Sequence, residues 1–521
     1  MTVDSENTVV EAIAVKDGRI LAVGKTDAIK QLAGKATKKI DLEGRTVLPG
    51  FIESHNHFLN YGVAMSRVQC RTPPNRKISD ILARIKEQAE QMSIGEWIQG
   101  AGYDDTLIDD KRHLSRWDLD KVSPETPVLI YHVSGHIAYV NSVALKLAGI
   151  TKNTPQPKGG RIVVDPNTGE PTGVLEENAA IKMATTFISP TSLDDYVKGS
   201  KRACNEFIKV GVTSIHDAGV SSISLQAYQK LIDNGELPLR VYMMARSKLH
   251  DALIGIGLRT GFGNEQLKIG PIKIVQDGSI QGYTGALSKP YYRKPKWRAY
   301  LIHNQEELNQ KVLAAHKAGF QVAIHGNGDW GIDSILDAYE YALIKHPRKD
   351  HRHRIEHCQM VRDDQLDRMI KLGVVASFFN THVYYWGDRH RDIFIGPARA
   401  RRISPLKSAL RRGLRFGGHS DCGVTPVSPL FNIYIAATRI TRDGKILGPE
   451  QRISVIDGIR AMTIDAAYLA FEEDIKGSIE PGKLADFVIL SEDPTTVAPD
   501  KIKDIQVEMT LIGGKIVYQR A

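Results

Sequence analysis

Residues 47–57 read VLPGFIESHNH, an apolar run that ends in two histidines one residue apart. Such a run predicts a buried strand. Side chains two residues apart on a strand point to the same face, so His55 and His57 should project together from its carboxyl end. Paired imidazoles are ligands that zinc and similar cations prefer. On its own the pair is ambiguous, because two ordinary histidines at a strand end have the same spacing.

The composition is that of an ordinary soluble globular protein, with 42% hydrophobic and 25% charged residues. A chain of 521 residues is long enough for a large barrel and a smaller domain. The net charge of +9 is mild for this length. A basic cluster lies within residues 389–412, and such clusters are mostly solvated surface. We therefore expect a small-molecule substrate and no nucleic-acid partner.

The cysteines do not indicate a disulfide framework or a cysteine-rich zinc site, because no C-x-x-C spacing occurs among them. The first residues, MTVDSE, lack the basic and apolar regions of a signal peptide. No apolar run reaches transmembrane length, so no membrane partner is expected. These features favour a cytoplasmic protein, and they leave open whether the chain forms a homo-oligomer.

Eight apolar, strand-like runs occur along the chain, and segments with helical patterning, such as 306–318 and 331–345, lie between them. The runs are residues 47–57, 211–217, 240–245, 272–277, 321–325, 354–357, 373–378 and 414–421. Strands that alternate with helices predict an α/β fold, here a (β/α)8 TIM-type barrel at residues 49–469.

Two further parts accompany the barrel. Strand patterns at both chain ends are too few to form a sheet separately, so residues 1–48 and 470–521 should combine into one small β-sandwich domain. The connection after strand 1, about 58–205, is far longer than a barrel loop requires. It contains helical patterns at 79–92, with Ser79 as the N-cap, and at 193–208. Insertions at this position lie on the catalytic face, so we expect it to form a lid.

The ends of the predicted strands carry a set of metal-binding residue types. In a barrel these ends converge on one rim, where active sites of this fold lie. Each residue alone could be a scattered polar group, but the full set is a much stronger signal. The candidates are His55, His57, Lys273, His325, His357 and Asp421.

The sequence resembles the amidohydrolase superfamily, in particular its amidohydrolase-3, or YtcJ-like, branch. The resemblance covers nearly the whole chain, including motifs within the long insertion. The matching segments are LPGFIESHNH (48–57), SGH (134–136), TGVLEE (172–177), IVQDGS (274–279), HGNGD (325–329), RIEH (354–357), HSD (419–421) and GSIEPGKLADF (477–487). Two departures are Glu53, where many members have Asp, and the lack of a strand before Val9.

The resemblance implies a metal-dependent amidohydrolase that cleaves an amide or related C–N bond by a metal-activated hydroxide. A bound divalent ion, zinc first, would lower the pKa of its water to about 7. His55 and His57 would hold one ion, and His325 and His357 a second. Asp421 would contact a metal and transfer the proton. The alternative is a mononuclear site.

Lys273 distinguishes these two arrangements. A protonated lysine cannot bind a cation, so Lys273 is a ligand only as a carbamate formed with CO2, as the resemblance suggests. A carbamate would bridge two ions, and an ammonium beside two dications would be strongly repelled. In the alternative, Lys273 forms a structural ion pair beside one metal ion.

The remaining histidines and aromatic residues give weaker signals. His136 in the insertion is a candidate for substrate contact. His382, Tyr385 and Trp386 follow strand seven and suggest an aromatic pocket for a hydrophobic substrate, although aromatic clusters are as often plain packing. His216 and His419 lie near the site without an assignable role. His346, His351 and His353 belong to a basic turn expected at the surface.

Two other functions stay open at this stage. The same centre could hydrolyse an ester, a lactone or another bond, because a fold does not fix its substrate. The chain could also be a non-catalytic regulatory member of the family, although the complete set of candidate ligands argues against that.

Overall fold

The computed structural model describes residues 1–92 and 95–520. Its N-terminal part is a hairpin of β1 (Ala12–Lys16) and β2 (Arg19–Gly24), followed by helix α1 (Thr26–Lys30). The turn between these strands is the Asp17-Gly18 pair, and both residues have positive φ. This is the strand–turn–strand pattern that the sequence predicts.

The run at residues 47–57 forms two strands instead of the single strand that we predicted. Strand β3 (Thr46–Pro49) belongs to a sheet at the chain ends, and β4 (Phe51–Asn56) begins the barrel. Gly50 separates them, and a Cβ there would lie 2.3 Å from side-chain atoms of Thr213. The chain can pass from one sheet to the other at this point because position 50 has no side chain.

Residues Asn60–Gly199 form a compact unit of their own. Its six-stranded sheet has the order β5-β6-β7-β8-β10-β9, and alternate residues of β7 contribute to two separate apolar cores. The elements in this part of the chain are α2 (Phe58–Ala64), β5 (Val68–Gln69), α3 (Ile78–Ala89), β6 (Ile98–Tyr103), α4 (Arg116–Asp120), β7 (Val128–His132), β8 (Ile137–Val140), α5 (Ser142–Leu147), β9 (Arg161–Val164), β10 (Pro171–Glu176), α6 (Glu177–Thr185) and α7 (Leu193–Ile208). The role of this unit as a lid stays a prediction.

Helix α7 has the predicted bounds, but the predicted N-cap of α3 was wrong. The helix begins at Ile78 instead of following Ser79. Its N-terminus is closed by the Asp80 carboxylate, which accepts the N–H groups of Arg76 and Lys77 at 2.8 and 3.0 Å. A carboxylate in the first turn also interacts favourably with the helix dipole.

The barrel consists of eight parallel strands, in the order β4-β11-β12-β13-β14-β15-β16-β17, and all eight predicted runs contribute a strand. Its elements after α7 are β11 (Val212–Val220), α8 (Ser222–Asp233), β12 (Arg240–Arg246), α9 (His250–Gly255), β13 (Leu267–Val275), α10 (Gln305–Lys317), β14 (Val322–Gly326), α11 (Asp329–Lys345), β15 (Arg354–His357), α12 (Asp363–Leu372), β16 (Val375–Phe378), α13 (His382–Arg389), α14 (Pro397–Ala400), α15 (Leu406–Arg411) and β17 (Phe416–Gly418). Short 3-10 helices lie at Ser247–Leu249, Pro449–Gln451 and Pro499–Asp504, and a π-helix lies at His390–Phe394.

The sheet is nearly closed, because its first and last strands are linked by side chains. Ser54 Oγ on β4 donates a hydrogen bond to Gly418 O on β17 at 2.9 Å. Glu53 Oε1 accepts the N–H of Ser420 at 2.6 Å. These two bonds place the segment that contains Asp421 beside the end of β4. The predicted (β/α)8 fold is therefore confirmed.

The two chain ends share one four-stranded sheet, in the order β20-β19-β18-β3. After the barrel come α16 (Pro429–Thr438), α17 (Val455–Ala461), α18 (Ile464–Tyr468), β18 (Phe487–Leu490), β19 (Val507–Ile512) and β20 (Lys515–Gln519). The N-terminal hairpin packs on this sheet through Ile20, against a core that includes Phe487, Met509 and Leu511. Neither end has this core without the other.

Two predictions about surface residues, the basic cluster and the basic turn, can be compared with the structure. Arginines of the basic cluster pair with carboxylates: Arg402 with Asp363 at 2.7 Å, and Arg412 with Asp367 at 2.7 Å. Of the basic turn, His346 is exposed, but His351 and His353 are buried, so the prediction of a surface position was wrong for those two. Among residues 1–92 and 95–520, no helix combines the length and the apolar character needed to span a membrane.

Candidate metal centre

Three of the predicted ligands meet at the carboxyl ends of β4 and β17. Asp421 Oδ1 lies 3.6 Å from His55 Nε2 and 3.3 Å from His57 Nε2. One possible ligand atom from each residue lies within 4.8 Å of the other two. This spacing, with two imidazole nitrogens and one carboxylate oxygen, suits a divalent cation.

The hydrogen bonds of the two histidines assign the same tautomer to both rings. His55 Nδ1 donates to Glu356 Oε2 at 2.6 Å, and His57 Nδ1 donates to Ala218 O at 2.8 Å. Both partners are acceptors, so each Nδ1 carries a proton and the Nε2 of each ring faces Asp421, where a neutral ring would offer its lone pair to a cation. Acceptors in this position orient metal-binding imidazoles and make them more basic.

Arg354 holds the carboxylate that orients His55. Its Nε donates to Glu356 Oε1 at 2.8 Å, and its Nη2 donates to Ser54 O at 2.7 Å. Both side chains are fully buried. Burial raises the pKa of the Glu356 carboxyl, while the positive charges of Arg354 and Lys273 act against that rise.

Asp421 is ionised at neutral pH. Burial alone would raise its pKa, but the hydrogen bond and charge of His57 outweigh burial and lower the pKa to about 2. In the same way, burial acts to lower the pKa of His57, yet Asp421 raises it overall. Asp421 therefore favours the protonated form of His57, and a cation bound between the two residues would take the place of that proton.

Lys273, on β13, lies in the same buried region. Burial lowers the pKa of its amine to about 8, although the negative charges of Glu356 and Asp421 favour the charged form. Its Nζ is buried and forms no hydrogen bond within the described part of the chain. The amine is therefore more readily neutral than that of an ordinary lysine.

The structure places His357 close to these three ligands and His325 one ring further away. The His357 ring centroid lies 4.8 Å from that of His55 and 4.3 Å from that of His325. His357 Nδ1 is 3.9 Å from Asp421 Oδ2. His325 Nε2 is directed to Gly278 O at 3.2 Å, so the ligand role of His325 stays a prediction.

The residues present fit a metal ion. Among the described residues, the buried atoms that lack a hydrogen-bond partner include His55 Nε2 and Lys273 Nζ. Unpaired buried polar atoms are costly. The meeting of two imidazole nitrogens and a negatively charged carboxylate at one point suggests that a cation completes the site.

The predicted substrate residues lie in two parts of the chain. His136, in the inserted unit, has its Nδ1 3.0 Å from Glu177 Oε2. His382, Tyr385 and Trp386 all lie on α13, and the rings of His382 and Trp386 are 4.9 Å apart. Burial lowers the pKa of His382 to about 3, so this ring is neutral and accepts a hydrogen bond from Gln359 Nε2 at 2.9 Å.

Phe379 links α13 to the histidines and was not predicted. Its ring lies 4.1 Å from His382, 5.2 Å from His419 and 6.0 Å from His357. It follows β16 directly, at the strand end where functional side chains of a barrel occur, and this position was the available signal. The aromatic residues near His357 are therefore more extensive than the sequence suggested.

Two other residues, whose roles were not predicted, contact candidate ligands and are not candidate ligands themselves. Glu356 precedes His357 in the RIEH motif, and its contact with His55 joins strands that are far apart in the sequence. His419, noted in the HSD motif without a role, has its Nε2 3.1 Å from His357 Nδ1. Both residues lie within motifs of the sequence, but their partners become visible only in the folded barrel.

Comparison with known proteins gives consistent matches along the whole chain. A model described as "Amidohydrolase family" matches residues 38–518. The YtcJ protein of Bacillus subtilis is 30% identical over 98% of this chain and 96% of its own length. N-substituted formamide deformylase of Arthrobacter pascens is 29% identical over 100% of this chain and 97% of its own length. The crystal structure of an uncharacterized metal-dependent hydrolase from Pyrococcus horikoshii has a TM-score of 0.77 at 27% identity, and covers 94% of this chain and 95% of that one.

Proposed function

Because this chain belongs to the amidohydrolase family, we propose that it is a metal-dependent hydrolase that cleaves an amide or related C–N bond in a small, hydrophobic substrate. The observation that carries this proposal is the meeting of His55 Nε2, His57 Nε2 and Asp421 Oδ1 at one point. The solved structure from Pyrococcus horikoshii, itself called a metal-dependent hydrolase, supports it.

We propose zinc as the first candidate metal, held by His55, His57 and Asp421. A bound divalent ion lowers the pKa of a water molecule to about 7 and polarises a carbonyl group. Manganese and cobalt are compatible with the same ligands, because the donor set does not select one metal. We further propose a second ion beside His325 and His357, for which Lys273 would need to become an anion.

Lys273 becomes an anion if its neutral amine adds CO2, which forms an N-carboxylate and releases one proton. Its low pKa of about 8 and its unpaired, buried Nζ support this step. Without that reaction, Lys273 stays a cation and the arrangement is mononuclear.

Asp421 has two oxygen atoms with different surroundings. Its Oδ1 faces His55 and His57, whereas its Oδ2 lies towards His357, 3.9 Å from Nδ1. We propose that Oδ2 accepts a proton from the attacking water and delivers it to the leaving nitrogen. The carboxylate is ionised at neutral pH, as this role requires.

The aromatic residues next to His357 suggest an apolar substrate group. Phe379 and His382 lie 4.1 Å apart and lead from the centre to Trp386. We propose that these residues, together with Tyr385, contact the substrate. A substrate contact by His136 stays a prediction. The Arthrobacter relative is named for N-substituted formamides, so formamides with an apolar substituent on nitrogen are the first compounds to test.

The test measures metal content and turnover together. We expect the purified protein to contain divalent metal by mass spectrometry, and His55→Ala and His57→Ala to lose most of it. His346→Ala removes an exposed imidazole and should keep the metal content of the wild type. Wild-type protein should hydrolyse at least one N-substituted formamide or amide.

Three results would contradict the proposal. Normal metal content in both histidine variants would show that the metal binds elsewhere. Tight metal binding with no turnover of amides, while esters or lactones are cleaved, would replace the C–N bond assignment. Metal binding with no turnover of any of these classes would favour a regulatory protein.

A further inference from the structure

A chain of buried hydrogen bonds runs from His357 across the barrel. His357 Nδ1 lies 3.1 Å from His419 Nε2, and His419 Nδ1 lies 2.8 Å from Ser377 Oγ. Ser377 Oγ is 2.8 Å from Ser54 Oγ, which donates to Gly418 O at 2.9 Å. The four side chains are at most 2% exposed, so water does not compete for these bonds.

The last acceptor gives the chain one direction. A carbonyl oxygen only accepts, so the Ser54 hydroxyl donates to Gly418 and must accept from Ser377. Ser377 then accepts from His419 Nδ1–H, which leaves His419 Nε2 as the acceptor of His357 Nδ1–H. The result is a bare Nε2 on His357.

The opposite direction is less favourable by one hydrogen bond. If the Ser54 hydroxyl turned to Ser377, every later proton would move as well, and His357 would carry its proton on Nε2. That arrangement makes three bonds instead of four and leaves Gly418 O without the Ser54 donor. A protonated Nε2 cannot bind a metal ion.

We propose that His419, Ser377 and Ser54 are positioning residues that fix the tautomer of His357 and keep its Nε2 lone pair available to a metal ion. The part of this inference that concerns the ion rests on the proposed function. His55 and His57 reach the same tautomer through one acceptor each, Glu356 and Ala218 O. His357 reaches it through a relay of three side chains.

The first experiment uses metal-free wild-type protein with 15N-labelled histidine. Protonated and bare imidazole nitrogens have well-separated NMR shifts, so the spectrum identifies the tautomer of each ring. The His357 and His55 signals are assigned from their loss in His357→Gln and His55→Gln. We expect His357 to carry its proton on Nδ1. A proton on Nε2 would overturn the proposal without any further variant.

The second experiment breaks the relay far from His357. In Ser54→Ala, the Ser377 hydroxyl loses its acceptor and can turn to donate to His419 Nδ1, which reverses the chain. We expect the His357 proton to move to Nε2 in this variant and in Ser377→Ala, whereas His55 keeps its proton on Nδ1. Ser377→Thr retains a hydroxyl and should keep the wild-type tautomer. An unchanged His357 signal in both alanine variants would overturn the proposal.

Metal affinity provides a separate readout. Ser54→Ala and Ser377→Ala should weaken binding of zinc by about 10- to 100-fold in competition with a chelating dye, as loss of supporting contacts to ligands does. Ser214→Ala is the matched control: it removes another buried barrel hydroxyl, one with no hydrogen-bond partner among the described residues, and should bind zinc as the wild type does. Wild-type affinity in both relay variants would contradict the role of the relay. If wild-type protein bound no zinc, the proposed function would fail, while the tautomer measurement would still decide the direction of the chain.

Discussion

Asp421 and Lys273 are two residues whose charges determine what the centre can bind. Each is buried, and Lys273 Nζ lacks a hydrogen-bond partner within the described chain. Charges buried in this way are tolerated where a counter-charge or a ligand compensates them. The carboxylate is ionised, with a pKa of about 2, and the amine loses its proton more easily than usual, with a pKa of about 8. One therefore attracts a cation, and the other can react with CO2.

Asp421→Asn separates metal binding from proton transfer. The variant retains the imidazoles of His55 and His57, so much of the metal should remain. An amide accepts protons poorly, so kcat should fall by about 10²- to 10⁴-fold. Steady-state kinetics with metal analysis would measure both effects. Asp367→Asn, which changes a surface carboxylate paired with Arg412, should leave both unchanged. A rate within a few-fold of the wild type would show that another group takes the proton.

Lys273→Ala tests the carbamate. The change removes the amine that CO2 would convert to an anion. A second ion should therefore bind weakly, and turnover should fall with it. Bicarbonate should speed reconstitution of metal-free wild type with zinc but have no effect on the alanine variant. A short carboxylic acid should restore part of the activity of the variant. Equal bicarbonate responses in the two proteins would favour the mononuclear arrangement.

The sequence predicted the candidate ligands of the centre better than it predicted the residues that orient them. His55, His57 and Asp421 stand at strand ends, and parallel strands carry such positions to one rim, so their meeting was predictable. Glu356 was not, because its partner His55 lies on a strand about 300 positions earlier in the chain. No spacing rule relates two such residues, and no sequence pattern states which nitrogen of an imidazole carries the proton.

At the scale of elements, Gly50 divides one apolar run between two sheets. Strand β3 pairs antiparallel with β18 at one side of this glycine, and β4 pairs parallel with β11 at the other. The hydrophobic pattern continues through the division, which explains why the sequence predicted one strand. The eight barrel strands were recognisable because strands buried on both faces form short continuous apolar runs. Their exact ends depend on such local contacts.

Gly50→Ala should destabilise the protein. Its new Cβ would lie 2.3 Å from Thr213 Cγ2 and Oγ1, and 2.8 Å from Thr213 Cβ, in a buried region. Overpacking of this kind costs about 1–3 kcal/mol, so the thermal unfolding midpoint should fall. Thr213→Gly removes all three atoms. The double variant should therefore be less destabilised than the sum of the two single variants predicts. Strict additivity of the two changes would contradict a direct clash.

At the scale of the whole molecule, neutral histidines join the amino ends of barrel strands. His353 Nδ1 accepts the N–H of Val322 at 3.0 Å, and its Nε2 donates to His316 Nδ1 at 2.9 Å. His351 Nδ1 accepts the N–H of His353 at 3.0 Å, and its Nε2 donates to Leu372 O at 2.7 Å. Each ring uses a bare nitrogen, so a second proton on any ring breaks a bond.

These histidines should make the fold sensitive to acid. Burial, with smaller contributions from His316 and Arg348, lowers the pKa of His351 from 6.5 to about 4. The hydrogen bond to Leu372 O and the charge of Asp350 oppose this decrease. The unfolded chain therefore binds the proton more tightly, and the stabilisation is complete above pH 6.5 and declines as the pH falls towards about 4.

Thermal midpoints of metal-free wild type and His351→Gln at pH values across this range provide the measurement. The variant should be less stable near neutral pH, and its deficit should narrow as the pH falls, because only the wild type loses the contribution of this ring. A deficit independent of pH would contradict the argument. Using metal-free protein removes the separate pH dependence of metal binding.

The pairing of β3 with β18 delays part of the folding of a newly synthesised chain, because the two strands are made at very different times. Leu48 lies opposite Val488, about 440 positions later, and synthesis at about 5–20 residues per second separates their appearance by roughly 20 to 90 s. Through that interval Val47 and Leu48 have emerged without the strand that covers them. In a ribosome-bound chain that stops before residue 487, the first fifty residues should therefore be accessible to protease and to chaperones. Once the last strands have left the ribosome, the first fifty residues should become inaccessible.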